Sequence, residues 1–189
     1  MSLVQESPFT CPQCGWEFNI PVWGSINIAT DPQIRDAILS GEHFTFTCRE
    51  CGCVSPIEYS CLYVDRDRKQ IICLIPDGTE NSDEAETEAR AAAGELLRED
   101  EQFFMRIVTS SGDLREKILI LDSGLDDRLV EICKGVALSQ VAEGVNVLDI
   151  RFARIAGQRF LVLYCLENEG DEEISEQYVT GFDSFYQLI

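Results

Sequence analysis

The sequence predicts an α+β protein: an antiparallel β module, then a helical pair and a C-terminal antiparallel sheet. Three observations predict it. Two C-x-x-C-G knuckles, Cys11-Pro12-Gln13-Cys14-Gly15 and Cys48-Arg49-Glu50-Cys51-Gly52, stand among β-branched and aromatic runs. Apolar residues recur at helical spacing between Asp113 and Val136. Two alternating runs, Asn146 to Ile155 and Arg159 to Leu166, flank the turn Ala156-Gly157-Gln158 and read as a hairpin.

Phe18 to Ile28 is a strand, bent or bulged at Pro21 or Gly24. Asp31-Pro32 opens a short helix, with Asp31 as N-cap and Pro32 in its first turn. Ile34, Ile38 and Leu39 are its apolar stripe, and Gly41 stops it. His43 to Thr47 alternates as a strand into the second knuckle. Val54 to Val64 and Lys69 to Ile75 flank the charged turn Asp65-Arg66-Asp67-Arg68, and Pro76 closes that hairpin.

From Asp77 the composition turns acidic and alanine-rich. A linker to about Glu84 is expected to lead into a helix carrying Ala85, Ala89, Ala92, Ala93, Leu96 and Leu97. Arg106 to Thr109 is a short strand. Asp113-x-x-Glu116 reads as a capping box for a helix with Leu114, Ile118 and Leu121 on one face, ended by Gly124. A second helix from Asp126 carries Leu129, Ile132, Cys133 and Val136, with Cys133 as a small core residue. A charged loop, Glu167 to Glu173, precedes a third strand from Ile174 to Thr180, and Phe182 to Ile189 closes the chain. The expected organisation is a module over 1–76, an acidic linker and helix over 77–105, and an α+β region over 106–189. Neither half has an obviously self-sufficient core, which favours their packing as one unit.

Each knuckle is a tight turn that draws two sulfurs toward one point. The glycine after the second cysteine permits positive φ, so backbone N–H groups can turn toward the sulfurs. Two facing knuckles make a tetrahedral four-sulfur site suited to Zn²⁺. Cys11, Cys14, Cys48 and Cys51 are the expected ligands. Four protein ligands leave no position for water or substrate, so the expected zinc is structural and the module zinc-ribbon-like. Ordinary buried thiols, or a redox dithiol near a βαβ pattern, are the competing readings. Cys53, two residues past Cys51, competes as a ligand in register.

The chain has 189 residues and a net charge of −19. Residues 1–76 carry −4, residues 77–105 carry −8 and residues 106–189 carry −7. No segment is net basic, which disfavours direct nucleic-acid binding. A basic protein partner suits such a surface better, although solvation alone accounts for most acidic surfaces. No run approaches the ~18 apolar residues of a membrane span. Met1 to Phe9 lacks the pattern of a signal peptide, so a cytosolic location is expected, and nine cysteines raise no pairing problem there.

The knuckle Cys-Pro-x-Cys-Gly leads into Val22-Trp23-Gly24-Ser25-Ile26-Asn27. Asp31-Pro32, Gly41, the second knuckle and a tyrosine-containing hairpin ending at Pro76 follow. In this the chain resembles the CpXC protein family, named for its first knuckle. Glu116-Lys117-Ile118, Gly124-Leu125-Asp126-Asp127-Arg128, Glu131 and Lys134 extend the likeness. The resemblance implies a prokaryotic domain with zinc ligands at Cys11, Cys14, Cys48 and Cys51 and no established activity. Cys53, Cys61, Cys73 and Cys165 lie outside the family's motif.

Asp126, Asp127 and Glu131 could form a carboxylate metal cluster. Helix capping and ion pairing with Arg128 and Lys134 explain them better. His43 is the sole histidine, so no site can use two imidazoles. A Cys–His pair with Cys53 or Cys61 is conceivable, but a solvent-facing strand histidine is the simpler reading. Trp16, Trp23 and Phe18 are expected as core around the zinc clip. Two function classes remain. One is a zinc-binding module that docks a protein partner. The other is an enzyme of unknown type with a carboxylate-lined site between the two halves.

Overall fold

A computed structural model describes residues 2–100, 102–142, 145–166, 174–179 and 181–188. It divides into two compact units, Met1–Arg115 and Glu116–Ile189. The expected charged loop from Glu167 to Glu173 lies outside the described residues.

In the first unit, β1 (Leu3–Thr10) and β2 (Glu17–Asn27) form a long antiparallel hairpin with the first knuckle at its tip. Leu3 pairs with Ser25 and Val4 with Trp23, so Gly24 is the extra residue of a bulge. Pro21 keeps its register opposite Glu6. Helix α1 (Pro32–Ser40) buries Ile38 and stops at Gly41, whose φ of 86° is the left-handed conformation glycine adopts freely. Asp31 stands at its N-cap as expected, but its side chain makes no capping hydrogen bond. Its carboxylate instead accepts the hydroxyls of Ser2 and Thr30, tying the start of β1 to this turn.

A single 3-10 turn, Glu42–Phe44, replaces the start of the expected strand at His43. After it, β3 (Thr45–Thr47) and β4 (Val54–Pro56) pair as a second, short hairpin bearing the second knuckle. The strands β5 (Cys61–Asp65) and β6 (Gln70–Leu74) flank the charged turn. There the Asp65 carboxylate, itself buried, accepts from the backbone and guanidinium of Arg68.

Helix α2 (Ser82–Glu99) crosses over to β7 (Phe104–Val108), which joins β6 in parallel. The five-stranded sheet runs β1-β2-β5-β6-β7 and is mixed, since β2 also meets β5 in parallel. Ala93 is fully buried where α2 meets Ile71, Cys73 and Phe103, and Leu96 and Leu97 pack beside it. A methyl side chain there lets the helix lie close to the sheet.

The division between the units falls inside α3 (Ser111–Asp122). Its cap is Ser110 rather than the expected Asp113, and Glu116 closes no capping box. The Ser110 hydroxyl accepts from the Asp113 N–H and donates to the Asp113 carboxylate, and the Glu58 carboxylate accepts from the N–H and hydroxyl of Ser111. In α4 (Asp127–Ser139), the N-cap Asp126 accepts from the Arg128 N–H as expected. The buried stripe, however, is Asp127, Val130, Cys133 and Lys134, and Ile132 faces out. The strands β8 (Asn146–Ile155), β9 (Gln158–Leu166) and β10 (Ile174–Val179) form an antiparallel sheet in the order β10-β9-β8, and α5 (Phe182–Tyr186) follows. Cys133, Phe152, Leu161, Leu163, Cys165 and Phe182 lie in one core.

Candidate metal centre

The two knuckles are the same structure made twice. Each is the six-residue tip of a hairpin, closed by Thr10 opposite Glu17 in one and Thr47 opposite Val54 in the other. The Cys11 N–H donates to the Trp16 carbonyl at 2.9 Å, and the Cys48 N–H donates to the Cys53 carbonyl at 2.8 Å. Gly15 and Gly52 donate back to the carbonyls of Cys11 and Cys48, each at φ 72°. A residue with a Cβ would meet no neighbour at either position, so strain in the left-handed backbone is what favours glycine there.

The ribbons are held side by side by aromatic packing. Phe46 of β3 lies 4.7 Å from Phe9 and 5.3 Å from Phe18, centroid to centroid. Phe18 thus packs inside the clip, though half-buried rather than in the core. Trp16 does not, being 55 % exposed beyond the first knuckle. Trp23 is half-buried against His43.

This packing brings Cys11, Cys14, Cys48 and Cys51 together, with all four sulfurs within 4.8 Å of one another. Cys11 Sγ lies 3.7 Å from Cys51 Sγ, and Cys14 Sγ lies 3.7 Å from Cys48 Sγ. That is no disulfide, and all nine cysteines are free. It is the spacing of a tetrahedral site, because bonds of about 2.3 Å to a central Zn²⁺ set sulfurs roughly 3.8 Å apart. Cys53 stands where Trp16 stands in the first knuckle, and it is outside the cluster.

The electrostatics of the cluster also fit a cation. The amides of Cys14 and Gln13, aimed at Cys11 Sγ, hold that thiol down at about 6 against the effect of burial. For Cys14 the Trp16 amide pulls the same way. Burial and the neighbouring Cys51, Cys11 and Cys48 outweigh it and push that thiol up to about 12. The Cys11 thiolate forms readily and makes those of Cys14 and Cys51 harder to form. A divalent ion among them removes that repulsion.

The other candidates are placed elsewhere. His43 is half-buried, with Nε2 2.9 Å from the Tyr59 hydroxyl and its ring edge-on to Phe44. It does not serve a cysteine, and burial pushes the Cys61 thiol up to about 12 and Cys73 up to about 11. Asp127 and Glu131 pair with Lys117 at 3.4 and 2.8 Å, and Lys134 bridges Glu131 at 3.3 Å and Glu116 at 2.7 Å.

Glu116 is the residue the sequence reading misplaced. Its carboxylate is 2 % exposed and also accepts the Phe152 N–H on the outer edge of β8. Burial raises it above the usual carboxylate range although Lys134 opposes the shift. The signal for it was a lysine, Lys134, falling between Cys133 and Ala137 on a helix.

Fold and site together define an α+β protein whose first unit is clipped by two cysteine knuckles spaced for a metal ion. A family profile described as CpXC protein matches residues 9–134, and the chain belongs to that family. Comparison with curated proteins and with solved structures gives no match. Among the described residues no helix is long and apolar enough to cross a membrane.

Proposed function

We propose that Cys11, Cys14, Cys48 and Cys51 hold one structural Zn²⁺, and that the module so fixed docks a protein partner. The observation that carries the metal reading is the four-sulfur spacing, reached from two hairpin tips far apart in the chain. With four thiolates bound the ion has no vacant position, so it supplies no Lewis acidity and its effect is on the fold. Linking Cys14 to Cys48 closes a loop of roughly 35 residues, which by chain-entropy reckoning stabilises by about 4 kcal/mol. Zinc against four thiolates leaves a formal −2, on a chain already at −19. That balance supports a protein partner over phosphate backbones.

Elemental analysis of the purified chain tests the metal reading. One zinc per chain is expected, and Cys11→Ser should lose the zinc and lower the thermal midpoint of the first unit. Iron in its place, or a Cys11→Ser chain that keeps its zinc and its midpoint, would refute it.

A further inference from the structure

Helix α2 covers only part of the sheet beneath it. Beside it, over β5 and the bulged end of β2, runs a groove of about 790 Å³. Its sheet side includes Leu62 and Gly24, and a side chain added at Gly24 would meet nothing within 4 Å. Its helix side is the small-residue face of α2, with Ala85 and Ala92. Glu88, Glu95 and Glu99 stand along the same wall, all exposed. Seven and four residues apart on a helix, they are spaced about 10 Å and about 6 Å along its axis. Arg66 reaches Glu99 at 3.4 Å, the one cation among the lining residues.

We propose that this groove docks an amphipathic helix of a partner protein. The helix would lie beside α2, with small apolar side chains on Leu62 and Gly24. Lysines or arginines at matching i, i+7 and i+11 positions would face Glu88, Glu95 and Glu99. Charge selects this occupant. A second copy of the chain would bring another −19, and residues 116–189 carry 14 acids against 6 bases, so neither complements the glutamate wall. The apolar floor gives the contact its area, and the spaced carboxylates give it register. The inference rests on the protein-docking reading above and names the chemistry of the partner.

The test uses the zinc-loaded full chain and a synthetic 18-residue Ala/Leu helix with lysines at the i, i+7, i+11 spacing, followed by calorimetry. Saturable binding is expected. It should weaken at least tenfold in Glu88→Lys/Glu95→Lys, which reverses the wall, and also in Gly24→Phe, which fills the floor and leaves every charge in place. Circular dichroism and zinc content should not change in either variant. Absence of saturable binding, binding indifferent to either variant, or equal binding of a scrambled peptide of the same charge would overturn the proposal. A wild-type dimer in sedimentation that Gly24→Phe dissolves would also overturn it, because the occupant would then be a second copy. A purified chain without zinc refutes the metal reading whatever the peptide does. A zinc-loaded chain that ignores the peptide refutes only the groove.

Discussion

His43 shows how one residue's chemistry is set by its neighbours. Its imidazole is enclosed by Trp23, Phe44 and Tyr59, and burial pushes its pKa down to about 4 from an ordinary value near 6.5. Between those values the unfolded chain binds a proton that the folded chain refuses, so stability falls as pH drops from about 6.5 toward about 4 and is fully present above that window. The thermal midpoint of wild type should therefore fall relative to that of His43→Phe as the pH is lowered across this range, since the variant lacks the titrating group. Parallel curves would show that His43 takes protons freely when folded. The knuckles were legible from sequence because their chemistry is local: two sulfurs, a turn and a glycine within five residues. The surroundings of His43 were not, because they depend on Trp23 and on Tyr59, sixteen residues further on. Trp16 was misread for the same reason, since none of the described residues covers it at the tip of its hairpin.

Elements in the second unit are joined by a buried ion pair. Glu116 from α3 holds Lys134 of α4 with one carboxylate oxygen and the Phe152 amide of β8 with the other. An edge strand's free N–H is thereby capped, and three elements meet at one side chain. Lys134→Met should destabilise this unit by about 3 kcal/mol, because Glu116 stays buried with only the more distant Arg151, 3.9 Å away, to oppose its charge. Glu116→Gln added to it should recover much of that loss. The amide oxygen still accepts from Phe152, and neither charge of the pair remains. Chemical denaturation of the three variants measures the coupling, and a double variant as unstable as the sum of the singles would show that the pair is not coupled. Most helices and the β8–β9 hairpin were legible because hydrophobic periodicity reports them directly. The rotation of α4 was not. A stripe drawn through Ile132 scores as well on apolarity as the true one, and only the partner carboxylate on α3 makes Lys134 an inward residue.

At the scale of the whole molecule, the proposed zinc and the sheet core hold different parts of the first unit. The metal would tie the tip of β1–β2 to β3–β4, where three phenylalanines, Phe9, Phe18 and Phe46, also pack together. The α2 side of the sheet rests instead on Ile71, Cys73, Ala93 and Phe103, none of them near the knuckles in sequence. Stripping the metal with a strong chelator under reducing conditions should therefore release the first unit unevenly. Hydrogen exchange should speed up by orders of magnitude through Thr10 to Phe18 and Thr45 to Pro56, where hairpin amides lose their anchor. Amides of Ile71 to Leu74 in β6 and around Ala93 in α2 should keep their protection, as should those of Leu161 to Leu163 in β9. Uniform loss of protection from β5 through β7 would mean that the sheet core depends on the ion. Unchanged exchange at the two tips would mean that the aromatic cluster alone holds the ribbons together and the four sulfurs have no structural task.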